Sequence, residues 1–144
     1  ILGLDELLRE SEYVTLHVPL DKTTRGMIDA AALGKMRPDA ILINTCRGPV
    51  VVESAVAAAL DAKQIWGYGG DVFEVEPPPK DHPLIGRPDV MLTPHSAAQT
   101  VEGLSNMATG IAQDVLGVLR GEVPLNPVND PALVMANRRK LGKA

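Results

Sequence analysis

Two periods of hydrophobic residues organise this chain, and each predicts an element. Leu4, Leu7 and Leu8 fall on one side of a short amphipathic helix over residues 2–9. Residues 13–18 (Tyr-Val-Thr-Leu-His-Val) are mostly apolar or β-branched and are closed by Pro19, which predicts a buried strand. Residues 21–26 are polar and read as loop. Ile28 and Asp29 then have the character of an apolar lead-in and an N-cap for a helix from Ala30 to about Met36, stopped by Pro38. Residues 40–44 form a second strand, whose continuous apolar run fits burial on both faces, the pattern of a parallel sheet. Gly48-Pro49 breaks the chain before an alanine-rich helix over 52–62. A third strand over 67–73 is rich in glycine, which permits close backbone approach. Residues 74–88 carry Pro77, Pro78, Pro79, Pro83 and Pro88 and must be irregular. A fourth strand over 90–93 ends at Pro94. Thr100 reads as an N-cap, and Val101, Leu104, Ala108, Ile111, Val115 and Leu119 keep helical spacing up to Gly121, which suits a C′ position. Residues 122–144, with Pro124, Pro127, Pro131 and a basic end, read as an extended tail. Alternating strands and helices predict an α/β fold, a parallel sheet covered by helices.

Composition narrows the classes. The 144 residues match the ~100–200 of one domain, and 45% apolar with 22% charged residues is ordinary for a globular protein. A net charge of -4 argues against electrostatic attraction to nucleic acid or an anionic membrane, and 3% aromatics argues against base-stacking platforms. One cysteine excludes an intrachain disulfide or a multi-thiolate metal site and fits a cytoplasmic setting. No apolar run reaches the ~18 residues of a membrane helix, and no basic-then-apolar leader precedes the first helix. The chain opens on Ile1-Leu2-Gly3 rather than Met, so the expectation is a segment of something longer.

In an open parallel sheet, ligands bind beyond the carboxyl ends of the strands. The residues there are His17, Val18 and Pro19 after the first strand; Thr45, Cys46, Arg47 and Gly48 after the second; Asp71, then Glu74 and Glu76, after the third; and His95, Ser96, Ala97 and Ala98 after the fourth. A guanidinium offers a planar fork to a carboxylate, an imidazole moves protons near neutral pH, and a carboxylate beside it orients the ring. Arg47, Glu76 and His95 together suit proton-coupled chemistry on a small carboxylate substrate. Plainer readings stand beside this one: a structural His95, a surface Arg47, solvated glutamates in a proline loop. Cys46 reads better as a small buried thiol than as a nucleophile, because nothing nearby supplies a base. Glu76, Asp81 and His82 have no metal-site spacing, so no metal is expected.

The same residues carry a resemblance. Asn44-Thr45-Cys46-Arg47-Gly48 resembles the N-T-A/S/C-R-G signature of the D-isomer-specific 2-hydroxyacid dehydrogenases. The run from Gly70 through Asp71-Val72-Phe73 to Glu76-Pro77 is similar to that family's D-V-F-x-x-E-P, and Thr93-Pro94-His95-Ser96-Ala97-Ala98 to its T-P-H followed by small residues. His17-Val18-Pro19-Leu20 with Thr24-Arg25-Gly26 matches the segment after an earlier strand. The four motifs stand in family order and span about residues 1–127.

The resemblance implies an NAD-dependent oxidoreductase, NADP remaining open, that interconverts a 2-oxo acid and a D-2-hydroxy acid. Arg47 would bind the substrate carboxylate and carbonyl. His95 would be the acid/base, and Glu76 would pair with it and favour its protonated form. Asp71 would touch the nicotinamide side of the cofactor. His17, Val18, Pro19, Thr24, Thr45 and Cys46 would line the adenosine and ribose region, with Arg47, His95 and Ala97 also at the cofactor. Formate dehydrogenases of the same superfamily are similar around Gly67-Tyr68 and Lys80-Asp81-His82-Pro83 but typically carry Gln at the Glu76 position, so Glu76 favours a hydroxyacid. Some members of the superfamily are NAD-sensing corepressors, which is the non-enzymatic alternative. No G-x-G-x-x-G occurs in the sequence, so the expected fold is a partial Rossmann-type sheet lacking its first βαβ unit. Residues 1–100 would be the later part of the NAD(P)-binding domain, and 101–144 a long helix and tail returning to the substrate domain. The implied partners are the N-terminal part of the same chain and a second copy in a homodimer.

Overall fold

The computed structural model describes residues 1–130 together with Ala132, Leu133 and Ala136. It divides into two compact units, Ile1–Ala97 and Ala98–Ala144.

The first unit runs α1 (Leu4–Glu10), β1 (Tyr13–Leu16), α2 (Ala30–Leu33), β2 (Ile41–Asn44), a 3-10 turn (Gly48–Val50), α3 (Glu53–Asp61), β3 (Gly67–Gly70) and β4 (Val90–Leu92). The four strands form one parallel sheet in the order β1-β2-β3-β4. The α/β class and the parallel sheet are as the alternation of elements predicts. Asp29 caps α2, its carboxylate accepting the Ala32 N–H at 2.9 Å, as an N-cap must.

Successive strand residues point to opposite faces, and the two faces of this sheet differ. Val14, Leu42 and Tyr68 sit side by side on one face and are buried, packed in one cluster with Leu33 of α2, Met36 beyond it, and Val56 and Leu60 of α3. Fully burying each such Leu, Val or Met side chain contributes roughly 1.5–3 kcal/mol. The opposite face carries Tyr13, Ile41, Ile43 and Met91. Ile41 and Ile43 are half-exposed and Met91 is exposed, so β2 is not buried on both faces as its apolar run predicts. Within this unit that face forms a groove lined by Ile41, Ile43, Trp66, Val90 and Met91.

Several boundaries are tighter than predicted. β1 stops at Leu16 and β3 at Gly70, because the chain turns out of the ladder there to build the loops described below. The helix predicted from Ala30 to Met36 is a single α-turn, closed by the Gly34 N–H on the Ala30 carbonyl; beyond it the chain tightens to i→i−3 bonds, Lys35 N–H to the Ala32 carbonyl at 3.1 Å and Met36 N–H to the Leu33 carbonyl at 3.0 Å.

In the second unit, α4 (Val101–Arg120) has both predicted caps. Thr100 Oγ1 accepts the Gly103 N–H at 2.9 Å, and Gly121 takes the left-handed conformation at φ 92° that favours glycine. The chain then folds back: Asp114 accepts the backbone N–H groups of Leu125 at 2.7 Å and Asn126 at 3.2 Å. The extended-tail reading fails further on. Ala132, Leu133 and Ala136 are helical, and Asp130 accepts the Ala132 N–H as a local cap. The remaining tail positions, from Asn137 onward with Pro131, Val134 and Met135, lie outside the described residues. No described helix is long and apolar enough to cross a membrane.

Candidate active site at the carboxyl edge of the sheet

Register creates the site. Leu16 pairs with Asn44, Asn44 with Gly70 and Gly70 with Leu92, so the four strands end in one rank. The residues that follow them, His17, Thr45, Asp71 and Thr93, therefore start four loops at the same edge.

The loop after β2 is shaped by Asn44, which is fully buried. Its Nδ2 donates to the Arg47 carbonyl at 3.0 Å, and its Oδ1 accepts the Cys46 N–H at 3.1 Å and the Cys46 thiol at 3.2 Å. Cys46 is thus half-buried and held as a donor, in keeping with a structural thiol. The backbone of Arg47 is extended and its side chain is exposed; Nη1 donates to the Cys46 carbonyl at 2.6 Å. Gly48 follows because nothing larger fits. A Cβ there would lie 2.0 Å from the carbonyl carbon and oxygen of Phe73 and 2.4 Å from the Glu74 nitrogen. The Arg47 loop and the Phe73–Glu74 peptide are consequently in direct contact.

Asp71 organises the loop after β4. It is 3% exposed. Its Oδ1 accepts the Ser96 N–H at 2.8 Å and the Thr93 hydroxyl, its Oδ2 accepts the Ala97 N–H at 2.8 Å, and its carbonyl accepts the His95 N–H at 2.8 Å. These bonds hold His95 at φ 54°, a left-handed conformation uncommon for a side-chain-bearing residue. Burial pushes the Asp71 carboxyl up, but the donors from Thr93, Ser96 and Ala97, with the charge of His95, bring it below its ordinary value. A carboxylate has about four acceptor positions. Three of them are filled by side-chain and main-chain donors among the described residues, leaving one on Oδ2.

The turn aims His95 at Glu76. Nδ1 lies 2.8 Å from Glu76 Oε2, while Glu76 Oε1 accepts the Phe73 N–H at 3.0 Å. The bond from His95, then that from Phe73, hold the Glu76 carboxyl below its ordinary value. An ionised carboxylate only accepts, so the proton of this bond sits on Nδ1, and Nε2 is the ring nitrogen that this bond leaves over. The His95 side chain is 50% exposed.

Asp71, Glu76 and His95 are therefore joined directly, and Arg47 lies one residue from a glycine packed on the same peptide. His17, Val18, Pro19 and Thr24 belong to the loop after β1, two strands away from β3. His17 Nε2 is 2.9 Å from Thr15 Oγ1, and Thr24 Oγ1 donates to the Pro19 carbonyl at 2.7 Å, which closes that loop. Thr45 is half-buried at the head of the Arg47 loop, and Ala97 gives its N–H to Asp71. Glu76 and His82 do not meet in a shared cluster with Asp81: Glu76 turns to His95 and His82 to Glu53. Sequence reasoning missed Asn44 as the shaper of the Arg47 loop and Glu53 as a buried group. For Asn44 the signal was available, a polar residue closing an otherwise apolar strand.

Residues 1–97 match the family model described as D-isomer specific 2-hydroxyacid dehydrogenase, NAD binding domain. A glyoxylate reductase from Korarchaeum cryptofilum is 46% identical over 126 residues, covering 88% of this chain and 38% of that protein. Among solved structures, D-lactate dehydrogenase with NAD+ from Lactobacillus jensenii superposes with a TM-score of 0.80 at 32% identity, covering 90% of this chain and 43% of that one. A D-isomer specific 2-hydroxyacid dehydrogenase from Xanthobacter autotrophicus Py2, in complex with NADPH and MES, gives a TM-score of 0.76 at 38% identity over 91% of this chain and 53% of that one. The chain thus spans about two fifths of the length of the glyoxylate reductase it matches.

Proposed function

This chain belongs to the D-isomer specific 2-hydroxyacid dehydrogenase family through its NAD binding domain, and on that premise we propose that it forms part of an NAD(P)-dependent oxidoreductase interconverting a small 2-oxo acid and its D-2-hydroxy acid. The observation that carries the reading is the Asp71-clamped turn that presents His95, backed by Glu76, at the rank of strand ends. Glyoxylate is the first substrate to try, since the glyoxylate reductase above is similar over most of this chain.

The residues fit a nicotinamide cofactor in part. The acceptor position left on Asp71 Oδ2 suits an amide N–H such as that of the nicotinamide carboxamide. His17, Val18, Pro19, Thr24, Thr45 and Cys46 supply an edge for the adenosine and ribose half, and Ala97 the wall beside Asp71. The pyrophosphate needs helix-terminus amides of a glycine-rich loop, and the sequence has no G-x-G-x-x-G. Our reading therefore takes residues 1–100 as the later part of the NAD(P)-binding domain and 101–144 as a helix and tail returning to a substrate domain, the remainder coming from an N-terminal part of the same protein. A homodimer and a cytoplasmic setting belong to the same reading, supported by the exposed Trp66 and Met91 and by the free thiol of Cys46.

When bound, the nicotinamide supplies the hydride for the carbonyl carbon. Arg47 takes the substrate carboxylate in its planar fork and holds the carbonyl in place. As negative charge develops on the carbonyl oxygen, His95 delivers a proton to it from Nε2 while its Nδ1–H stays on Glu76. Glu76, its carboxyl held below the ordinary value, accepts the Nδ1–H and fixes the orientation of the ring. Cation and proton donor act more strongly on the transition state than on the ground state, which is what accelerates the step. In the reverse direction the same Nε2 accepts the hydroxyl proton.

The test is a panel of 2-oxo acids (glyoxylate, hydroxypyruvate, pyruvate) with NADH or NADPH and the full protein that carries this segment. Turnover of one acid, with kcat/KM lowered about 100-fold by Arg47→Gln as expected for a lost charged hydrogen bond, supports the reading. No turnover with any acid, or an unchanged kcat/KM in Arg47→Gln, contradicts it.

A further inference from the structure

Beneath the Glu76–His95 bond lies a second carboxylate–imidazole pair that none of the preceding chemistry uses. Glu53 opens α3, and its side chain turns away from its own helix end into the protein. Glu53 Oε2 is 3.0 Å from His82 Nε2, and Oε1 accepts the Glu74 N–H at 3.0 Å. The two side chains are 10% and 8% exposed. His82 Nδ1 faces the Leu84 N–H at 3.4 Å, and its ring meets the Phe73 ring edge-on at 5.4 Å between centroids. Among the described residues, the proline-rich stretch 74–88 has no helix or strand of its own. Glu53 fastens it to α3 at two points, position 74 and position 82. The first of these is the peptide against which Gly48 is packed, next to Arg47. Phe73, the residue before that stretch, holds Glu76 through its N–H at 3.0 Å.

We propose that Glu53 and His82 are a buried positioning pair, which sets the stretch from Phe73 to Glu76 so that Glu76 reaches His95. Neither residue touches the rank of strand ends; both act through Glu74 and Phe73. A buried carboxylate persists only when it is paired and hydrogen-bonded, and here every bond it makes goes to this one loop. The two anchors are 21 and 29 residues from Glu53 in sequence, so the pair replaces the secondary structure that five prolines forbid. The kinetic consequence rests on the oxidoreductase reading above; the placement of His95 does not.

The experiment is done on the labelled full protein that carries this segment, without substrate or cofactor. Ring nitrogen–proton correlation spectra report whether His95 keeps its proton on Nδ1, with Glu76→Gln marking the signature of the broken bond. Glu53→Ala is expected to lose the Nδ1–H signature of His95 while the sheet amides of Val14, Leu42 and Tyr68 stay where they are. Glu53→Gln keeps an acceptor for the Glu74 N–H and is expected to keep the signature. Retention in Glu53→Ala, or loss in both variants, overturns the proposal. If Glu53→Ala does not fold, His82→Leu decides: loss of the signature with unmoved sheet amides supports the proposal, and retention overturns it. In the full protein, Glu53→Ala should lower kcat about tenfold or more with KM for the oxo acid within about twofold, the pattern of a displaced acid/base. An enzyme with no turnover at all leaves the spectroscopic result standing, so the two readings fail separately.

Discussion

Replacing Asp71 by Asn probes the turn that places His95. The carboxylate accepts three side-chain and main-chain donors in a nearly solvent-free position: Thr93 and Ser96 on Oδ1, and Ala97 on Oδ2. An amide has a single carbonyl oxygen with two lone pairs. Placed at Oδ1, it keeps Thr93 and Ser96, and its NH2 then faces the Ala97 N–H, donor against donor. One charge-assisted bond is lost, worth about 1.5–3 kcal/mol, and a donor is left unpaired at a cost of about 1–3 kcal/mol. These overlap, so the expected loss is about 3 kcal/mol. Urea unfolding should show the loss as a lower midpoint at unchanged slope, and the Ala97 amide should exchange faster. The pH dependence has a definite sign. The folded carboxyl lies below its ordinary value of 3.8, so its stabilisation is complete at neutral pH and drains as pH falls below 3.8 through the folded-state value. The gap between wild type and variant should close over that range. A loss under about 0.5 kcal/mol at neutral pH, the range of a surface substitution, or an unchanged Ala97 amide, would refute the reasoning.

Other perturbations follow from the same geometry. Gly48→Ala puts a methyl 2.0 Å from the Phe73 carbonyl, and since the obstacle is backbone the expected cost is about 3 kcal/mol, the upper part of the overpacking range, read as a lower urea midpoint. Thr100→Ala removes the acceptor of the Gly103 N–H and should destabilise α4 by about 1 kcal/mol, visible as faster amide exchange confined to its first turn.

Much of this was legible in the residues. Apolar runs marked three of the four strands and a glycine-rich run the third, Asp29 and Thr100 announced their helices, and Gly121 marked the end of α4. The site was legible because its parts follow strands, and parallel strands in register bring their ends into one rank whatever the loops do. What escaped was of two kinds. Ile41 and Ile43 look as buried as Leu42 in sequence, yet they point to a face that the first unit leaves open, and periodicity does not say what covers a face. Glu53 and His82 look like a helix-opening charge and a loop histidine. Their pairing depends on how a proline-rich loop folds onto α3, a contact set by tertiary packing and not by local pattern.

The central claim is that His95 is the acid/base of a 2-oxo acid reduction. It is tested most directly by kcat/KM for the best 2-oxo acid in the full protein, wild type against His95→Gln, with cofactor binding monitored alongside. The account predicts a fall of about 10²–10⁴-fold, the usual contribution of a positioned acid/base, with the reduced cofactor still bound. Turnover within a few-fold of wild type in His95→Gln would contradict it.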